Sequence, residues 1–323
     1  MLRFIGKRLL HMIPLLIGVS LLAFVIMSLA PGDYLSQMRA NPQINPDTIE
    51  ALRVKFGLDK PWYVQYGRWL WNILRLDFGE SFAYHQPVFR IIKTRMLNTF
   101  VLALSSMVIA WGIAIPLGVI SAVRQYSWSD RAASFMAFIG LSVPTVLSGL
   151  LALLLAARTG WFPTFGTQAP DYEYLSAAGR IADRLHHLIL PALVLGLSSL
   201  AGLMRQMRGS LLEQLRADYV TTARAKGLPE RRVVYKHALR NAINPLVTLF
   251  GYSLGSLLSG ALIVEVIMSW PGLGRLVIDA INQRDQYLYM AALMMAAVMR
   301  ILGNLVADIL LALVDPRIRY ERG

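Results

Sequence analysis

Four polar side chains lie inside stretches of this 323-residue chain that are otherwise apolar: Glu265, Arg300, Asn304 and Asp308. Such groups are costly in hydrocarbon and default to function. Arg300, Asn304 and Asp308 recur at i, i+4 and i+8, which places them in one stripe on a helix. The stripe reads either as hydrogen bonding between helices, with Arg300 neutralising Asp308, or as one wall of a substrate pathway. A proton relay would need more such groups in series, and none is read. His186 and His187 offer imidazole nitrogens, but adjacent residues on a helix point about 100° apart. With no cysteine and no nearby carboxylate cluster, they do not make a metal site. The absence of cysteine also removes disulfides, thiol catalysis and zinc–thiolate centres. No nucleophile elbow is read, so Ser-His-Asp catalysis is not expected. No G-x-x-x-x-G-K-[ST] phosphate loop occurs. The chain is expected not to be an enzyme and to carry no cofactor or metal of its own.

The elements around these residues are set by composition. Hydrophobic residues make up 56% of the chain and charged ones 16%, against about 25% charged in soluble domains. That excess cannot be hidden in one soluble core. Six continuous apolar runs can each cross about 30 Å of hydrocarbon as a helix: Leu9–Ala30, Thr99–Val123, Ala132–Ala157, Leu188–Met204, Pro245–Ile267 and Leu288–Val314. The runs do not alternate, which excludes barrel strands. The first is too long for a signal peptide, and Pro31 would follow the cut at Ser28-Leu29-Ala30, so a retained helix is expected. Pro116 and Pro144 interrupt the second and third runs and read as kinks that could serve as gates. Gly251, Gly255 and Ser259 form a small-residue ridge suited to close helix contact.

Orientation follows from Lys and Arg. Seventeen lie in the two termini and the segments 124–131 and 205–240, against five in the short segments opposite. The prediction is an all-α membrane protein with six spans, both termini cytoplasmic, and a cytoplasmic loop over 205–245. The expected division is a first helix at 1–30, an extracytoplasmic segment at 31–98, a five-helix core at 99–314 and a tail at 315–323. Segment 31–98 carries Trp62, Tyr63, Tyr66, Trp69 and Trp71 and reads as a subdomain with an interfacial aromatic helix, or as a docking surface for a delivery protein. The net charge of +13 is then positive-inside bias at a lipid bilayer, not a nucleic-acid footprint.

The cytoplasmic loop has the most specific pattern. Leu211, Leu212, Leu215, Tyr219 and Ala223 recur at helical spacing and specify a short amphipathic helix. Gly227 suits the left-handed position after its end, Pro229 follows, and Lys226 sits at the negative end of the helix dipole. Glu230–Asn241 is expected to form a second basic helix that stops before Pro245.

The order of residues in this loop, Asp218-Tyr-Val-Thr-Thr-Ala-Arg-Ala-Lys-Gly-Leu followed by His237-Ala-Leu-Arg-Asn-Ala-Ile-Asn-Pro245, resembles the signature of binding-protein-dependent ABC importer permeases, in particular the B-type subunit of the dipeptide/oligopeptide/nickel group. Asp77-Phe-Gly-Glu-Ser-Phe82, Asn98-Thr99, Gly140-Leu-Ser-Val-Pro144, Leu190-Pro-Ala192, Glu265-Val-Ile-Met-Ser-Trp-Pro-Gly-Leu-Gly-Arg275 and Asp315-Pro-Arg317 extend the resemblance over nearly the whole chain. One departure is Thr222-Ala223-Arg224 where the family usually has Glu-Ala-Ala.

The resemblance implies a type I ABC importer permease fold in the bacterial inner membrane. It implies that the loop around 211–228 is a coupling helix seated in a cleft of an ATPase subunit. Leu215, Asp218, Tyr219, Ala223, Ala225, Lys226, Gly227, Leu228, His237, Arg240 and Asn241 would then be the coupling residues. Glu265 would belong to a motif near the gate, and Pro144, Asn304 and Asp308 are further gate or pathway candidates. The implied partners are a second homologous permease, two ATPases that hold ATP and Mg, and an extracytoplasmic binding protein. Di- or oligopeptides are the implied substrate, with nickel or glutathione as alternatives. From another class, an ion-coupled secondary transporter remains the rival.

Overall fold

The computed structural model describes residues 2–29, 32, 34–39 and 45–314. The expected tail at 315–323 and its Asp315-Pro-Arg317 stretch lie outside the described residues, as do parts of the 31–98 segment. In chain order the helices are α1 (Leu2–Leu29), α2 (Tyr34–Arg39), α3 (Pro46–Phe56), α4 (Trp62–Leu74), α5 (Val88–Val123), α6 (Trp128–Ser142), α7 (Thr145–Thr159), α8 (Ala177–Leu215), α9 (Asp218–Ala225), α10 (Glu230–Arg232), α11 (Leu239–Ala242), α12 (Asn244–Ile267), α13 (Leu273–Asn282) and α14 (Gln286–Val314). A π-helical turn over Val233–Ala238 joins α10 to α11. Among the described residues there is no strand beyond one isolated bridge, Glu80 to Pro87.

Three of these helices are long and apolar enough to cross a membrane, and up to five spans result if each of two bent pairs counts as one. The third predicted run, Ala132–Ala157, is not one kinked helix. It is α6 and α7, meeting at 108°. The cause is local: a proline disfavours helical geometry in the residue before it, and Val143 is extended at φ −85°, ψ 120°. The fourth run lies inside the 39-residue α8, which bends by 55° between Ala177–Leu197 and Ser199–Leu215. The fifth coincides with α12, which starts at Asn244 with Pro245 in its first turn, a position where the missing N–H costs nothing.

The chain forms two compact units, one of residues 1–99 and 271–301, the other of 100–270 and 302–323. In the first, α4 divides its aromatic residues. Tyr66 places its hydroxyl 3.0 Å from Ser20 Oγ of α1 and its ring edge-on to Phe24, while Trp69 stacks on Tyr66 and is buried. Trp62, Tyr63 and Trp71 remain about half exposed. Asn98 and Thr99 secure the start of α13: Asn98 Nδ2 donates to Pro271 O at 2.8 Å, and Leu273 N donates to Thr99 Oγ1 at 2.8 Å. The hydroxyl thus supplies a cap that Gly272 lacks.

In the second unit, α5, α7, α8 and α12 share one apolar core, including Leu102, Met107, Leu188, Leu195, Val264 and Trp270. Small residues set the spacing: a β-carbon at Gly118 of α5 would sit 2.7 Å from Met207 Cβ of α8. The ridge on α12 packs within the subunit at Gly255, whose Cα lies 3.6 Å from the β-carbon position of Gly303 on α14.

Candidate functional site

The loop between α8 and α12 is built on a second apolar cluster. Val119 and Ala122 of α5, Met207 and Leu211 of α8, Val220 and Ala223 of α9, then Val233, Ala238, Ala242 and Leu246 bury together. Each fully buried Val or Leu here stabilises the assembly by about 1.5–3 kcal/mol. Leu212, Leu215, Leu228 and Leu239 cover its rim.

The amphipathic helix is broken where a continuous one was expected. α8 runs through Leu215, Arg216 and Ala217 form a turn, and α9 begins at Asp218. Arg216 N and Ala217 N bond back to Glu213 O and Gln214 O, so the chain tightens and turns. The break changes which residues face inward. Val220 is fully buried, whereas Tyr219 is exposed and donates its hydroxyl to Gln214 Oε1 at 2.8 Å.

The end of α9 is a Schellman motif. Gly227 has φ +72°, its N–H bonds to Arg224 O at 2.9 Å, and Leu228 N bonds to Ala223 O at 3.4 Å. A β-carbon at Gly227 would meet nothing within 4 Å, so the glycine answers to backbone conformation and not to crowding. Beyond it Arg224 clamps Glu230, with Nη2 2.7 Å from Oε1 and Nε 3.1 Å from Oε2, while Nη1 reaches Leu215 O at 3.4 Å. The guanidinium holds the Glu230 carboxyl below its ordinary range. One side chain therefore ties the ends of α8, α9 and α10.

Asp218, Tyr219, Ala225, Lys226 and Gly227 are each exposed on this loop. Ala223 is separate, 7% exposed within the cluster. Leu215, Leu228 and His237 are half-buried, and Arg240 and Asn241 are exposed. The predicted second helix over 230–241 forms as α10, the π-helical turn and α11 in unbroken succession, and the turn buries Val233, Val234 and Ala238. The succession stops at Ala242, before Pro245, with only Ile243 between α11 and α12.

Sequence reasoning missed the bracing of this loop. Asp130, counted only as a charge, is 3% exposed and receives both Nε and Nη2 of Arg208, at 2.8 and 2.9 Å. It also accepts from Ser121 Oγ and, at 2.9 Å, from Tyr126 N. The first turn of α6, the end of α5 and α8 are joined through this carboxylate. The signal was present in Ser127-Trp-Ser-Asp130, an N-cap followed three residues later by an acid.

The remaining candidates are scattered. Pro144 caps the start of α7, and Glu265 is fully buried near the end of α12. Asn304 and Asp308 are half-buried on α14, where Arg300 is exposed. The two histidines serve different partners: His186 Nε2 lies 2.7 Å from Trp161 O, and His187 Nδ1 lies 2.9 Å from Asp183 O. Gly251-Tyr-Ser253-Leu-Gly255 does spell G-x-S-x-G, a match the sequence reading overlooked. It lies in mid-helix, with Ser253 Oγ bonded to Leu249 O at 2.8 Å, not on the strand-to-helix turn that a nucleophile elbow requires.

Comparison with known proteins accounts for this arrangement. Residues 114–320 match the family described as binding-protein-dependent transport system inner membrane component, and residues 1–103 match its N-terminal region. The chain is 46% identical over 319 residues to the oligopeptide transport system permease protein AppB of Bacillus subtilis, covering 98% of this chain and 99% of that protein. It is 38% identical over 339 residues to the dipeptide permease DppB of Escherichia coli K12, with both chains fully covered. It is 38% identical over 322 residues to the glutathione permease GsiC of Salmonella paratyphi A, covering 99% of this chain and all of that protein. A solved structure of the MetNI methionine ABC transporter in inward-facing conformations shares the fold, with a TM-score of 0.51 at 15% identity over 69% of this chain and 98% of the other. These matches, with a helical loop braced on the ends of long apolar helices, establish that the chain belongs to the family of inner membrane components of binding-protein-dependent transport systems.

Proposed function

We propose that this chain is a permease subunit of an ATP-driven importer of di- and oligopeptides. It pairs with a second, homologous permease to form the pathway, with six spans and both termini cytoplasmic. α9 carries the coupling: its inward face is fixed in the permease core by Val220 and Ala223, and its outward face offers Asp218, Tyr219, Ala225, Lys226 and Gly227 to an ATPase subunit. A helix so clamped moves as one piece with α8, so closure of two ATPases around ATP and Mg is transmitted to the spans. An extracytoplasmic binding protein delivers the substrate. The observation that carries the reading is the full-length similarity to peptide permeases.

The experiment is uptake into proteoliposomes holding the complete complex and its binding protein. ATP-dependent accumulation of a labelled dipeptide is expected, and its loss in Lys226→Glu. Uptake driven by an ion gradient without ATP overturns the reading. Uptake of glutathione but not dipeptides moves the substrate to the alternative that GsiC supports.

A further inference from the structure

Helix α4 buries one side and leaves the opposite side apolar. Successive residues turn about 100°, so Tyr66, Trp69 and Ile73 share one side, and Tyr63, Gly67, Trp71 and Leu74 share the side across from it. The first side packs: Trp69 and Ile73 are buried, and Tyr66 meets Ser20 and Phe24 of α1. On the second, Tyr63, Trp71 and Leu74 are each more than half exposed. Gln65, Arg68 and Asn72 lie on the flank between the two. A helix on the surface of a soluble protein carries its polar residues opposite the core. Here they sit to one side, and the face opposite the core is apolar.

What covers that face follows from where α4 lies. α1 and α14 are each long and apolar enough to cross a membrane. α4 sits against both: Phe24 of α1, Trp69 of α4, and Gln286 and Tyr287 at the start of α14 line one narrow crevice. Phe24 follows Arg8, the last basic residue before the apolar run, by about 24 Å of helix at 1.5 Å per residue. The hydrocarbon layer is about 30 Å thick, so α4 crosses α1 roughly 6 Å inside its far boundary. Interfacial helices bury their apolar faces about 5–10 Å into that boundary. The apolar face of α4 adds to that of α1, whose Leu22, Ile26 and Leu29 are likewise exposed. Just past the helix end, Arg75 lays its guanidinium over Trp71, with Cζ 4.6 Å from the ring centroid. An aromatic body beside a long basic side chain suits the level where acyl chains give way to headgroups.

We propose that α4 lies in the bilayer interface remote from the basic N-terminus. Tyr63, Gly67, Trp71 and Leu74 face the lipid, while Gln65, Arg68 and Asn72 face the water. The helix moors the 31–98 segment to the membrane beside α1, and leaves the docking of a delivery protein to other surfaces. The assignment rests on α1 and α14 as spans, not on the substrate carried.

The chain has no cysteine, so the test places single nitroxide labels on it. Gly67→Cys comes first, because a β-carbon there meets nothing within 4 Å and leaves the packing undisturbed. Trp71→Cys and Leu74→Cys extend the apolar face, and Arg68→Cys samples the polar flank. Each is studied in the full complex in phospholipid nanodiscs, with the complex lacking the added cysteine as background. Collision with oxygen, which concentrates in lipid, is compared with collision with chromium oxalate, which stays in water. The oxygen-to-chromium ratio should be at least about threefold higher at positions 67, 71 and 74 than at 68. Similar ratios at all four positions overturn the assignment. So does shielding of position 67 from chromium oxalate that appears only once the binding protein is added, which would make α4 the dock for that protein.

Discussion

Arg208 meets Asp130 side-on, Nε to Oδ1 at 2.8 Å and Nη2 to Oδ2 at 2.9 Å, with 5% of the carboxylate side chain exposed. The pair joins the first turn of α6 to the stretch of α8 that leads into α9. A charged pair of this kind is stronger than a neutral hydrogen bond, and breaking it leaves a buried charge without its partner.

Arg208→Gln and Asp130→Asn should therefore each lower stability by about 1.5–3 kcal/mol. The double variant should lose less than the sum of the two, because the second change removes a group already orphaned. Denaturant or thermal unfolding of the purified complex measures the cycle. Strict additivity would mean that the two side chains do not interact.

Gly227→Ala should cost about 1–2 kcal/mol through its left-handed backbone, since a β-carbon there meets no neighbour. Gly227→Asn should cost less, because asparagine tolerates that region. If the alanine variant is as stable as wild type yet loses ATP-driven uptake, the glycine is needed by the docked partner and not by the turn.

Ala223→Glu and Lys226→Glu should fail in different ways. The first forces a carboxylate among Val220, Leu211 and Val233 and should loosen the loop, read as faster proteolysis between α8 and α12. The second lies on the exposed face and should leave proteolysis unchanged while reducing co-purification of the ATPase. Equal proteolysis of both would mean that Ala223 does not pack where the structure places it.

The Arg224–Glu230 clamp predicts a pH response. Arg224 holds the Glu230 carboxyl below its ordinary value, so the folded loop favours the ionised form. Its contribution is complete above the ordinary glutamate range and is lost as pH falls below that range through the lowered value. Both side chains are substantially exposed, so the effect is confined to the loop. Protection of the amides of Gly227 and Leu228, taken relative to the intrinsic exchange rate at each pH, should fall as the medium is acidified through that range in wild type, and should be low and flat in Glu230→Gln. A flat wild-type profile would exclude the clamp.

Much of this molecule was written in local pattern. Continuous apolar runs demand helices because lipid leaves backbone groups no partner outside the helix. The lone glycine after Lys226 announced a left-handed turn, which φ +72° bears out. Basic residues gather in one loop, and an ordered series of motifs along the chain carries the family resemblance. Each of these follows from near neighbours along the chain.

Packing decided the rest. Periodicity alone could not say that α8 would end at Leu215 and α9 begin afresh, burying Val220 in place of Tyr219, because that choice depends on the cluster supplied by α5 and by residues beyond 230. Pro144 announced the break that the extended Val143 makes, but that α6 then packs on α8, and α7 on α8 and α12, is a matter of tertiary contact. Asp130 and Arg208 are 78 residues apart, and Gly32 and Arg284 farther still. Helical spacing relates residues three or four positions apart. Contacts at such distances exist only once the chain has folded, when the cost of burying a charge or a bare backbone is offset by the group brought against it.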